Sequence, residues 1–76
     1  MLVAIGTVSK PTKWIEIIDY DYGDDFTQYK NFSITNNQLD ATLLPYEDAV
    51  NIVIPKVKEI FNDDFCTFYM GGIDEI

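Results

Sequence analysis

Residues 46–62 read YEDAVNIVIPKVKEIFN, and the way this stretch winds decides the fold. At about 100° per residue, Ala49, Val50, Val53, Ile54, Val57, Ile60 and Phe61 fall within an arc of roughly 140°. Asp48, Asn51, Pro55, Lys58 and Glu59 fall on the other side. Glu47 and Asp48 stand in the first turn, with Lys56 and Lys58 nearer the C-terminal end, as the helix dipole prefers. Pro55 is the objection, because a proline in a helix interior costs about 3 kcal/mol and disrupts the bond to the Asn51 carbonyl. It lies on the polar side, where water satisfies that carbonyl and the helix bends. A strand over 49–54 would align Val50, Ile52 and Ile54, but the apolar stripe continues past the proline. One amphipathic helix over residues 46–62 is the expectation. Ile52 is its exception, an apolar residue about 40° from Asp48 on the polar side.

Working outward, the remaining segments read as strands. Residues 2–9 are rich in β-branched side chains, and Lys10-Pro11-Thr12 ends them. Residues 13–22 form a second strand, with Ile15, Ile17, Asp19 and Asp21 on one face and Trp14, Glu16, Ile18, Tyr20 and Tyr22 on the other. Gly23-Asp24-Asp25 supplies a turn. Residues 28–35 resume with Lys30, Phe32 and Ile34 opposite Tyr29, Asn31, Ser33 and Thr35. Asn36-Asn37 is another turn, residues 39–44 read as a weak strand, and residues 65–70 as a last one. The expected fold is α+β: a small single domain, residues 1–76, of about four mainly antiparallel strands with one helix packed on one sheet face.

Seventy-six residues leave no room for a second core. A chain of this size buries only about 60% of its unfolded surface, so its stability is marginal without help. Cys66 is the single cysteine, which precludes an internal disulfide and suits a reducing compartment. There is no histidine, the commonest metal ligand and general base. Self-association into a homo-oligomer is the remaining source of stability. The opening apolar run lacks a preceding basic region, and no stretch approaches the roughly 20 apolar residues of a membrane span. A cytoplasmic protein is expected, without a membrane partner.

Charge is the strongest compositional signal: thirteen acids against five lysines give −8, with no arginine. Binding nucleic acid directly requires the cations that this chain lacks. Residues 19–25 carry −4 and residues 63–76 carry −4, so two patches hold the imbalance. A basic protein partner is the natural complement; the plain alternative is that the charge keeps a small protein soluble.

Asp19-Tyr-Asp-Tyr-Gly-Asp-Asp25 resembles a calcium loop only in outline. Against the EF-hand spacing, Gly23 stands where a ligand belongs, Asp24 where the glycine belongs, and Lys30 where the bidentate glutamate belongs. No metal and no other cofactor is expected. Cys66 has no histidine to activate it, and paired carboxylates need an apolar pocket that a chain this short scarcely builds. The expectation is a binding protein and not an enzyme.

Asp19, Asp21, Asp24 and Asp25, interleaved with Tyr20, Tyr22 and Tyr29, and Asp63, Asp64, Asp74 and Glu75 present negative charge along strand ends and turns. Such a surface imitates a nucleic-acid backbone and fits a basic groove built for phosphates, with tyrosines as anchors. The plain reading is that the tyrosines pack over the sheet and the acids are ordinary surface. Trp14, beside a turn, is expected to be part exposed and to join the contact.

A small, acidic, arginine-free chain rich in Ile, Asn, Asp and Tyr has the composition of short phage reading frames from AT-rich genomes. Such frames often encode stoichiometric inhibitors of host enzymes or of host defence, anti-CRISPR proteins among them. The first expectation is therefore an inhibitor blocking a basic nuclease or other nucleic-acid-binding host protein. An immunity protein or antitoxin shares the same physics. A homo-oligomer that sequesters a small ligand between Trp14 and the tyrosines is the alternative from another class.

Overall fold

The computed structural model describes residues 1–22 and 27–69, with residues 20–22, 27 and 28 described by their backbone. It is a small α+β domain: a five-stranded antiparallel sheet with one helix. The strands are β1 (Leu2–Thr7), β2 (Trp14–Tyr22), β3 (Thr27–Thr35), β4 (Leu44–Pro45) and β5 (Phe65–Tyr69). β1 is central. Along one edge it pairs with β5, from Val3 opposite Tyr69 to Thr7 opposite Phe65. Its other edge is shared: β4 takes Leu2 and Val3, and β2 takes Gly6 opposite Trp14. Between these two the chain near Thr42 wedges in, its N–H donating to the Ile15 carbonyl at 3.1 Å and its Oγ1 accepting from the Ile17 N–H at 2.8 Å. β2 is thereby turned away from β1 and pairs instead with β3 from Trp14 to Tyr22, with a break at Ile18 and Asn31.

Several details of the expected strands are corrected by local hydrogen bonding. β1 stops at Thr7 and not at residue 9, because the buried Thr7 hydroxyl donates to the Ser9 carbonyl and accepts from the Lys13 N–H. Residues 39–43 are not a strand. Asn37 caps a short 3-10 turn, Gln38–Asp40, by accepting from the Leu39 N–H at 3.0 Å, and the brief β4 comes later, adding a fifth strand. The Lys10-Pro11 peptide bond within the β1–β2 connection is cis.

The helix, α1, runs from Tyr46 to Phe61 in three parts: an α turn Tyr46–Asp48, a π turn Ala49–Val53 and a regular α stretch Ile54–Phe61. The π turn accounts for Pro55. In it the Ile54 N–H reaches back to the Ala49 carbonyl, so Pro55 falls in the first turn of the regular stretch, the part of a helix that tolerates proline best. Asn62 ends the helix in the left-handed conformation (φ 53°, ψ 48°), a common helix terminator.

The wider turn also rephases the apolar stripe. Ala49, Val53 and Val57 are buried against Val3, Ile5, Ile15 and Ile17 of the sheet, as the periodicity predicts. Ile52, expected on the polar side, is half-buried against this core instead, whereas Val50 and Ile60 are exposed at 38% and 59%. Five residues wound with i→i+5 bonding advance less per residue than a regular helix, and the uniform 100° reading loses phase there.

On the sheet, Asn31 does the same for β3. Pairing runs in constant register from Trp14–Thr35 to Tyr22–Thr27, but between the Ile17–Phe32 and Asp19–Lys30 pairs Asn31 adopts φ 54°. Regular alternation would set Tyr29 opposite Phe32 and Ile34. The left-handed residue reverses the phase, so Tyr29 joins their side and is buried in the core, while Lys30 is exposed. Asp19 likewise leaves the face of Ile15 and Ile17 for solvent.

Candidate partner-binding surface

Trp14 begins β2, and its indole lies on the sheet face away from α1. There it meets Phe68 edge-on, with ring centroids 4.7 Å apart, above Gly6. It is 8% exposed. The expectation of a part-exposed contact residue is thus corrected: pairing with Gly6, which has no side chain, opens a slot that the indole fills.

The acids divide by strand direction. β2 leaves Gly6 antiparallel to β1, so Asp19 and the backbone of Tyr20, Asp21 and Tyr22 lie toward the Leu2 end of the sheet and beyond. Asp63 and Asp64 precede Phe65, which pairs with Thr7, and the Val8 N–H donates to the Asp64 carbonyl at 3.0 Å. They occupy the opposite end. The two acidic segments are therefore not one patch over the described residues. Asp24, Asp25, Asp74 and Glu75 lie outside the described residues.

Each described acid has a local setting. Asp19 is exposed on β2 with Lys30 opposite it. Asp63 turns its Oδ1 to the Asp64 N–H at 2.8 Å, and Asp64 pairs with Lys58 at 3.5 Å in an exposed ion pair. That pair contributes little, since water competes for both groups. Lys58, Asn62, Asp63 and Asp64 line an open polar depression of about 270 Å³. Among the described residues no aspartate or glutamate is buried, and Thr7 is the one buried polar side chain. No group of three or more described His, Cys, Asp or Glu side chains gathers as a metal set. Cys66 is a half-buried free thiol opposite Gly6.

Two features escaped the sequence reading. The Tyr29 hydroxyl donates to Asp48 Oδ2 at 2.6 Å, linking the β2–β3 hairpin to the first turn of α1. Beside that turn, Met1, Pro45, Tyr46, Glu47 and Asp48 line a depression of about 390 Å³, with Tyr46 47% exposed. Neither follows from spacing, because both depend on the reversed phase at Asn31 and on the β1–β4 pairing that brings Met1 to Tyr46. The one available signal was Asn31 itself, a residue that tolerates the left-handed region and is depleted in strands. No described helix is long and apolar enough to cross a membrane. Comparison of the chain with protein-family models, with curated proteins and with solved structures gives no match.

Proposed function

We propose that the chain is a small acidic binding protein of the cytoplasm that occupies the nucleic-acid-binding groove of a basic partner and inhibits it stoichiometrically. The observation that supports this reading is the placement of charge. Every described carboxylate stands outside the core of a chain that carries −8 and no arginine, so its field is turned to solvent. The contact surface is the β2–β3 hairpin, where Asp19 and Asp21 lie on a strand that runs past its partner on β1. Asp63 and Asp64, at the far end and next to Lys58, are not part of that surface. Trp14, packed on Phe68, is neither an anchor in it nor free to stack on a small ligand.

The test is competition. The immobilised chain is exposed to host lysate at low salt, retained proteins are eluted with a salt gradient, and each is purified. The expected result is a partner whose affinity falls at least about tenfold between roughly 50 and 200 mM salt. Duplex DNA or RNA should displace the chain from it at a one-to-one end point. A partner that binds the chain and nucleic acid simultaneously would rule the reading out.

A further inference from the structure

We infer that the outer half of the β2–β3 hairpin, residues 19–22 and 27–30, is a hinged arm that pivots at Ile18–Asn31 and is held to the body by the Tyr29–Asp48 latch. Three independent observations converge on it. First, the wedge at Thr42 occupies the edge of β2 at Ile15 and Ile17, so the body's grip on the hairpin lies below residue 18. Second, the ladder is interrupted at that same level. Asn31 sits at φ 54°, and both Asn31 and Ile18, the latter 61% exposed, are out of the core. A left-handed residue within a strand is a natural place for the backbone to swing, since it already departs from the pleat. Third, among the described side chains of residues 19–30, Tyr29 alone is buried, while Asp19 and Lys30 are exposed.

The latch is specific. The Tyr29 ring packs in the core at 8% exposure, and its hydroxyl donates to a carboxylate of the first turn of α1 at 2.6 Å. A hydrogen bond to a charged acceptor in a half-buried site is among the stronger single contacts a small domain makes. Asn31 serves both parts of the device: its conformation aims Tyr29 at Asp48 and supplies the pivot. The latch therefore sets where the acids at positions 19 and 21 are held relative to the body. Opening it frees them and lets the outer rungs of the β2–β3 ladder, no longer backed by the body, fray, while β1 keeps its pairing with β5. The inference concerns the arm itself and holds whatever the arm contacts.

Amide hydrogen exchange followed by NMR on the Tyr29→Phe variant tests it, because phenylalanine keeps the ring and removes only the hydroxyl. The amides of residues 19–22 and 27–30 should exchange at least about tenfold faster, while those of Leu2–Thr7 stay within about twofold. Equal acceleration of arm and body, or none in either, overturns the latch. In an Asn31→Val background, where the β-branched side chain disfavours the left-handed region, Tyr29→Phe should add nothing further. A full additional effect there overturns the coupling between pivot and latch. Should either variant fail to fold, exchange of the unmodified protein in rising denaturant decides the matter. Arm amides that open with a shallow denaturant dependence support the hinge, and arm amides that share the opening energy and slope of β1 overturn it.

Discussion

At Gly6 three side chains converge on the space a Cβ would fill: Phe68 Cε1 at 2.9 Å, Thr12 Cγ2 at 3.0 Å and Trp14 Cε3 at 3.1 Å. Glycine is required there by close approach, and the sequence, which shows only a break in an apolar run, does not say so. Gly6→Ala should destabilise the fold by about 1–3 kcal/mol through overpacking. Trimming the opposing ring with Phe68→Leu in the same chain should recover part of that loss. Chemical denaturation of the two single variants and the double variant checks this, and strict additivity would show that the contact is not the cause. Asn31 and Asn62 are the other residues whose meaning is conformational, both lying in the left-handed region. Asn62 was legible as a helix end, since apolar periodicity stops there. Asn31 was not, since it sits inside an alternating run and reverses that run's phase.

The helix was the most legible element, and its interior the least. Its extent and its buried core of Ala49, Val53 and Val57 follow from periodicity, but the π turn moves Ile52 inward and leaves Ile60 outside. Ile52→Ala should therefore cost about 2 kcal/mol or more and Ile60→Ala less than about 1 kcal/mol, the reverse of a uniform helical wheel. Paired urea melts of these two variants measure the difference. Equal costs would mean that residues 49–53 wind as an ordinary helix in solution. The strands show the same division: their existence was readable from β-branched content, and their partners were not. Nothing in the local pattern of β1 announces that one strand is shared by β2, β4 and β5, because that arrangement depends on the Thr42 wedge.

For the molecule as a whole, charge and size pull against each other. A core built around Val3, Ile5, Ile15, Ile17, Val53 and Val57 is small, and a net charge of −8 on its surface repels itself. Screening should relieve that strain, raising the thermal midpoint by several degrees between about 10 and 150 mM sodium chloride. Calorimetry at fixed pH reads the shift; an unchanged midpoint would mean that the acids are too dispersed to matter. Net charge was fully legible in the sequence, whereas its arrangement was not. The sequence leaves open whether the two acidic segments share a face, and antiparallel strand order sends Asp19 and Asp63 to opposite ends.

The protein also carries its own optical label. Trp14 is the single tryptophan, and it sits where β2 meets β1, its indole edge-on to Phe68 and shielded from water. Its emission should be shifted to the blue while the sheet stands and move to the red when β1, β2 and β5 part. The arm beyond Ile18 lies outside this neighbourhood, so its opening leaves the indole spectrum unchanged. A fluorescence melt thus reports on the body of the sheet and is silent about the arm.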